Sequence, residues 1–427
     1  MISRERVDAS GVLVNTTAAR EKKPGYRLFG QALLLAIVIA LLAGTFSLNR
    51  ISPDLDWLDI RIMACYVLLL GFIVWALGSH DHWPQRRPIT RSIWWFYAWV
   101  TWMAMSASWA PNGARIKDSL VGLMAMVVYV SMAAQIVKRL ESEDLHFIWT
   151  ALLIIAMLYF AAAMVAGPGD QGRYSAFGGG PNVFVRVVLI GAMASLFLYL
   201  RKGRTITLLT IPFLAVGAVL SGSRGGLLAG AAVLLIGIFP IMRRLGAKRS
   251  IWTSTLTALG LWGFLVFGGT TTMAFLQERF VQQTLVQGYS SGRVSIAEQV
   301  IGLFQGHVWF GVGLDGYYGL LGQYSGAEYP HNLFLASAAE GGLVGITLVA
   351  VAIIALIKAA LKRRPISVNT LFAWLAGILL LVASQFSGDY YDSRMMWFFF
   401  VLAAVDNARA DKEDARPDGE EASPRLG

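Results

Sequence analysis

The sequence predicts an all-α integral membrane protein of about 12 transmembrane helices, with one long external loop that contains short helices. Three observations carry that expectation. Of the 427 residues 56% are hydrophobic and only 15% charged, and the mean hydropathy is +0.57; a soluble domain carries about 25% charged residues. Apolar runs of roughly 20 residues, enough to cross about 30 Å of hydrocarbon, recur along the chain. Runs of that length satisfy their own backbone hydrogen bonds as helices rather than as barrel strands.

In chain order, twelve apolar segments fall near 28–48, 58–78, 92–110, 116–137, 146–166, 181–200, 204–221, 224–242, 251–269, 331–357, 368–387 and 394–406. The first follows a basic stretch, but it is too long for a secretory core and no A-x-A-like site follows it, so it reads as a retained helix. Loop charge then gives the sidedness. Lys and Arg crowd the N-terminal stretch Arg4 to Arg27, then Arg86/Arg87/Arg91, Lys138/Arg139, Arg201/Lys202/Arg204, Arg243/Arg244/Lys248/Arg249, Lys358/Lys362/Arg363/Arg364 and the C-terminal tail. These are alternate loops, and the positive-inside rule places them and both termini in the cytoplasm. The expected organisation is a cytoplasmic tail 1–27, transmembrane helices one to nine over 28–269, an external loop 270–330, helices ten to twelve over 331–406, and a charged, disordered cytoplasmic tail 407–427.

Composition also excludes function classes. The net charge of +10 is loop charge that orients the chain, so no nucleic-acid partner is implied. Cys65 is the only cysteine, which rules out a disulfide framework or a Cys-based metal site within one chain. Gly311-Val-Gly313-Leu-Asp-Gly316 fits G-x-G-x-x-G but lacks the preceding strand and the βαβ unit that give the pattern meaning. Gly222/Gly226/Gly230 and Gly341/Gly345 have the spacing of close helix packing. With no D-x-D, Walker loop or paired His/carboxylate cluster, nothing calls for a metal, ATP or another cofactor.

The external side carries the chemistry. Its loops hold Arg173–Asn182, Ser221–Gly226, the long Gly269–Pro330 segment and Ser387–Arg394. Two stretches of the long loop look helical, one near Met273–Val286 and one from Ser291. In the second, Val294, Ala297, Ile301 and Phe304 form one apolar face suited to the membrane surface or to capping the bundle. Every even-numbered helix enters from this side, so its free N–H groups face outward. Helix six begins at Pro181-Asn182, helix eight at Arg224, helix ten at His331-Asn332 and helix twelve near Arg394; Arg293 opens the second loop helix. Arginine beside a helix N-terminus suits phosphate, and a phosphate-bearing lipid is the natural ligand. Arg224, flanked by Ser-Gly-Ser and Gly-Gly, and Arg293 are the leading anion-binding candidates. Arg186, a turn inside helix six, either binds or snorkels to the surface. Arg173 lies in a Gly-rich loop. His331, whose entry is fixed by Pro330 and which is expected in the first turn of helix ten, is the candidate general base or acceptor-orienting group. Glu340 reads as a buried, paired structural carboxylate, and Asp389 as either a sugar ligand or a solvated loop residue.

The order S-R-G-G, S-S-G-R, Y-P-H-N and E-G-G-L-V-G, with the P-N helix start and the twelve-helix plan, resembles the O-antigen ligase/O-antigen polymerase superfamily of bacterial polytopic membrane glycan transferases. The resemblance is strongest over Ser221–Gly345. It implies a metal-independent, inverting glycosyltransferase at the periplasmic face of the inner membrane, multi-pass, working without a cofactor. The donor would be an undecaprenyl diphosphate-linked glycan. The acceptor would be the lipid A-core in a ligase, or a growing glycan in an O-antigen or exopolysaccharide polymerase. By motif, Arg224 and Arg293, joined by Arg186, would hold the diphosphate and stabilise its leaving charge, and His331 would take or orient the acceptor proton. Asn332, Asp389 and Arg173 are candidate sugar or acceptor contacts. A lipid-linked glycan transporter is the alternative from another class; it would show internal repeats, broken helices and midplane charge, whereas this sequence shows no repeat and keeps its charges on one face.

Overall fold

The computed structural model describes residues 24–43, 60–78, 91–140, 142–203, 205–246, 292–326, 328–362 and 364–413, with isolated positions elsewhere. Most of the ninth predicted segment, 251–269, and of the loop helix near Met273–Val286 lies outside the described residues. The remaining eleven segments are helices: α1 (Pro24–Ala43), α2 (Ile60–Gly78), α3 (Ile93–Met105), α4 (Ile116–Val137), α5 (His146–Ala166), α6 (Gly180–Lys202), α7 (Thr210–Leu220) and α8 (Arg224–Leu245), then α10 (Leu333–Leu361), α11 (Val368–Ala383) and α12 (Arg394–Glu413). Between them α9 (Arg293–Gly306) is the second loop helix. Among the described residues the only strand pairing joins Arg6–Val7 to Leu13–Val14.

Among the described residues six helices are long and apolar enough to cross a membrane, namely α1, α4, α5, α6, α8 and α10; residues 62–78, 205–220 and 368–383 form shorter apolar helices. The chain is a multi-pass membrane protein. Local signals set the helix ends. Ser223 caps α8 by accepting from the Gly226 N–H, and Ser367 caps α11 by accepting from Thr370. Glycines in the left-handed region follow α5, α6 and α8, where a Cβ would be strained. At its far end α12 continues to Glu413, past the expected boundary at 406.

The packing explains why the short twelfth apolar run suffices. Met396, Trp397, Phe398, Phe399 and Phe400 are each no more than 1% exposed, surrounded by α4, α10 and α11. A helix apolar all round belongs in the interior of a bundle. Because lipid is as apolar as the bundle core, close approach rather than water exclusion must hold such helices together. The glycine stripe of α8 serves this: Gly226 lies against Val185 and Gly230 against Leu189, both on α6.

α10 is not a continuous helix. At Gly342 the backbone turns to φ 65°, ψ −161°, and the stretch His307–Gly313 inserts beside the break. The Val312 N–H donates to the Ala339 carbonyl (2.8 Å), Gly313 to Glu340 (3.0 Å), and Leu343 to Val308 (2.7 Å). These bonds satisfy groups that a broken helix would otherwise leave bare in an apolar environment. A side chain at Gly311 would strike the Glu340 backbone, and one at Gly342 would strike that of Trp309. The two glycine motifs are therefore two halves of one joint, beyond the simple helix packing expected of Gly341 and Gly345, which do lie against Trp102 and Met103 of α3.

Of the two roles expected for the Val294/Ile301 face of α9, capping the bundle falls to another face. Ile296, Val300 and Leu303 pack with Tyr317, Leu335 and Ala339, whereas Val294 and Ile301 are exposed. Both faces have helical spacing, and only tertiary structure chooses between them.

The loops expected outside lie together at one end of the bundle. Tyr174 donates to the Leu220 carbonyl, and Leu333 to that of Ser384. Arg115, in the α3–α4 turn, pairs with Asp315 at 3.2 Å and Glu328 at 3.3 Å.

Candidate active site

Each sequence-selected residue can now be placed. Arg224 is the first residue of α8, directly after the Ser223 cap. The Ser223 hydroxyl also reaches the Asn182 side-chain oxygen at 2.7 Å, and Arg173 donates to that oxygen (3.4 Å) and to the Ser221 carbonyl (3.0 Å). Arg173 thus ties the start of α6 to the α7–α8 turn. Beside this, Gly225 packs on Phe386, and the Arg186 Nη2 donates to the carbonyls of Ala383 (3.2 Å) and Ser387 (2.6 Å). Arg186 is 9% exposed, so this nitrogen is held at the C-terminal end of α11, where carbonyls favour a cation.

His331 departs from expectation in conformation. It does not lie in the first turn of α10: the cap is Asn332, and His331 precedes it at φ 57°, a region that non-glycine residues rarely occupy. Asn332 is committed to this role, accepting from the Phe334 and Leu335 N–H groups (3.0 Å each) while its amide donates to the Gln385 carbonyl (3.3 Å). These bonds fix Asn332 as a positioning group and leave it little capacity for the sugar contact expected of it. The strained turn aims the His331 ring edge-on at Tyr329, with centroids 4.5 Å apart.

The electrostatics join His331 to Arg293. Burial lowers the His331 pKa, Arg293 lowers it further, and Asp392 partly offsets both. The imidazole is therefore neutral at pH 7, the form that can accept a proton. Tyr329 is pushed up to about 12 by burial and by Asp392, Asp389 and Glu328; it stays protonated and available as a donor. Asp389 is accessible at the mouth of a cleft, yet desolvation by the surrounding walls and the neighbouring Asp392 raise its pKa to about 6, and its Oδ1 accepts from the Asp392 N–H at 2.9 Å.

That cleft is a cavity of about 310 Å³, which sequence reasoning missed. Arg115, Asp118 and Ser119 form one wall, Asp315 and Glu328–Pro330 another, and Glu340 with Asp389–Asp392 the third. Of the selected site residues only Asp389 lines it. Glu340, 3% exposed, forms its floor. Its carboxylate accepts from the Asp315 N–H (2.9 Å), the Tyr317 N–H (3.4 Å) and the Tyr390 hydroxyl (2.8 Å), which fits the structural role expected of it. Arg115 was legible as an external charge before helix four, but its partner Asp315, 200 residues away, carried no sequence signal. Among the described residues no group of three His, Cys, Asp or Glu side chains is arranged to hold a metal ion.

The segment Tyr329–His331 links the two groups of residues: Tyr329 and Pro330 line the acidic cavity, and His331 feels the charges of both Arg293 and Asp392. Comparison with known proteins gives one family: residues 209–350 match the family model described as O-antigen ligase. That segment runs from α7 into α10 and includes Arg224, Arg293, His331 and Glu340. None of the curated proteins compared with the chain matches it. Over residues 209–350, a third of its length, the chain is thus similar to the O-antigen ligase family.

Proposed function

We propose that this protein is an O-antigen ligase-like glycosyltransferase, moving a glycan from undecaprenyl diphosphate to a lipid A-core acceptor. In this reading it lies in the bacterial inner membrane with about 12 spans, both termini cytoplasmic and the 270–330 loop periplasmic. The observation that carries the reading is a neutral His331 held beside Arg293 within the matched segment, with Arg224 at the head of α8. An acceptor hydroxyl attacks the anomeric carbon while the bond from that carbon to the diphosphate oxygen breaks. The electron pair leaves with the diphosphate, whose charge Arg224 and Arg293 stabilise, and the hydroxyl proton passes to His331. Attack opposite the leaving group inverts the anomeric centre. Diphosphate is a good leaving group, so positioning and charge stabilisation suffice without a metal. Arg186 supports the diphosphate side from its anchored position.

A polymerase joining repeat units uses the same donor and differs only in the acceptor; the acidic cavity, which suits a sugar without phosphate, keeps this second reading in view. The break in α10 is the kind of feature a transporter uses, but here the chain's own loop fills it.

Deletion of the gene, with lipopolysaccharide, lipid-linked glycan and secreted polysaccharide analysed together, tests the assignment. Cores without O-antigen and long polymer stranded on the carrier lipid are expected. Cores bearing a single repeat, or intact lipopolysaccharide with secreted polymer missing, would assign a polymerase. Glycan left on the cytoplasmic side would point to transport.

A further inference from the structure

We propose that the cavity between the start of α4, the 315–330 loop and the 389–392 turn is the subsite for the acceptor's sugar, and that it selects a neutral or amine-bearing sugar over a phosphorylated one. The name acceptor rests on the transferase reading; the sugar preference rests on the cavity alone. Its volume of about 310 Å³ lies at the small end of ligand pockets, which span about 300–1,000 Å³, and fits sugar rings rather than an acyl chain. Tyr329, Tyr390 and Tyr391 are among the residues of the walls, and carboxylates accept hydrogen bonds from sugar hydroxyls.

Charge sets the selectivity. Six carboxylates line the cavity against one arginine. That arginine, Arg115, already pairs with Asp315 and Glu328, and its guanidinium sits 3.7 Å from the Tyr318 ring centre. Asp392 in turn pairs with Arg394 at 3.2 Å. A phosphate placed here would meet an excess of carboxylates whose arginines, Arg115 and Arg394, are already paired, an arrangement that suppresses wrong partners. None of the arginines that suit a diphosphate, Arg186, Arg224 and Arg293, lines the cavity. The two substrates are thereby sorted by charge: the diphosphate is excluded from the acidic side, and a hydroxyl leaving the cavity past Pro330 meets His331.

The test uses full-length protein in lipid nanodiscs without donor lipid, titrated by calorimetry. The probes are a glucosamine disaccharide, its N-acetylated form and a phosphate ester of that form. Binding should follow the order amine, neutral, phosphate, with about tenfold between the extremes. Asp118 is exposed in the first turn of α4, so changes there spare the core. Asp118→Asn should reduce the amine preference about threefold, and Asp118→Lys should bring the phosphate ester level with or above the neutral sugar. Glu298→Lys, the same charge change on the exposed side of α9, should leave the order as it is. Equal or tighter binding of the phosphate ester by the unaltered protein overturns the proposal. So does absence of binding by every probe at about 50 mM, far above the affinities expected of a specific site, or identical behaviour of the two Lys variants. If the binding order holds but no glycan is transferred, the cavity remains a sugar site and loses only the acceptor role. If transfer proceeds and the order fails, the inference falls by itself.

Discussion

At the scale of single residues, His331 gathers the most constraint. Its backbone is left-handed, its ring is fixed by Tyr329, and its basicity is set by burial and by Arg293. A proton acceptor with a depressed pKa works once it is deprotonated, so kcat/KM should rise through a pKa below the ordinary value of about 6.5 and be flat at neutral pH. Because Arg293 lowers that pKa, Arg293→Ala should shift the acid limb to higher pH and also reduce the plateau about 10²-fold or more through lost leaving-group stabilisation. A plateau that falls with no movement of the acid limb would separate Arg293 from His331. His331 could be chosen from the sequence because Y-P-H-N precedes an apolar run. Its strained conformation, and the use of Asn332 as a cap, could not, since both depend on where Gln385 and Tyr329 arrive in space.

At the scale of elements, the joint between His307–Gly313 and the broken α10 positions Glu340, and through it Asp315, Tyr317 and Tyr390. Gly342→Ala should cost at least about 2–4 kcal/mol, since a positive φ and a backbone collision act together. Gly302→Ala, on α9 with open space around it, should be neutral or add about 0.5–1 kcal/mol; thermal unfolding in detergent reads both. Similar melting temperatures for the two variants would remove the joint from the account. Glu340→Ala leaves three donors without an acceptor, each worth about 1–3 kcal/mol when buried, and should lower stability without moving the pH profile of any residual transfer. The helices themselves were legible, because their apolar runs match the bilayer and their caps and glycine stops are local. The joint was not. Its glycines looked like packing residues because the backbone they clear lies about 30 residues away in the chain.

At the scale of the whole molecule, loops scattered over the sequence meet at one end, as the alternation of loop charge led one to expect. The sidedness can be read chemically. With Cys65→Ala removing the only thiol, Glu328→Cys should react with a membrane-impermeant maleimide added to intact spheroplasts. Reaction only after permeabilisation would invert the topology. What loop charge could not convey was that Arg115 and Asp315, 200 residues apart, meet in the fold.

The decisive experiment is glycan transfer by the purified protein. Full-length chain reconstituted with an undecaprenyl diphosphate-linked glycan and a lipid A-core acceptor, in the presence of EDTA, should form the glycosidic bond with inversion. His331→Ala should slow that step about 10²–10⁴-fold, with Arg224→Ala and Arg293→Ala also severely impaired and all three variants folded. Full activity in His331→Ala, or transfer that EDTA abolishes and Mg²⁺ restores, would contradict the mechanism derived from this site.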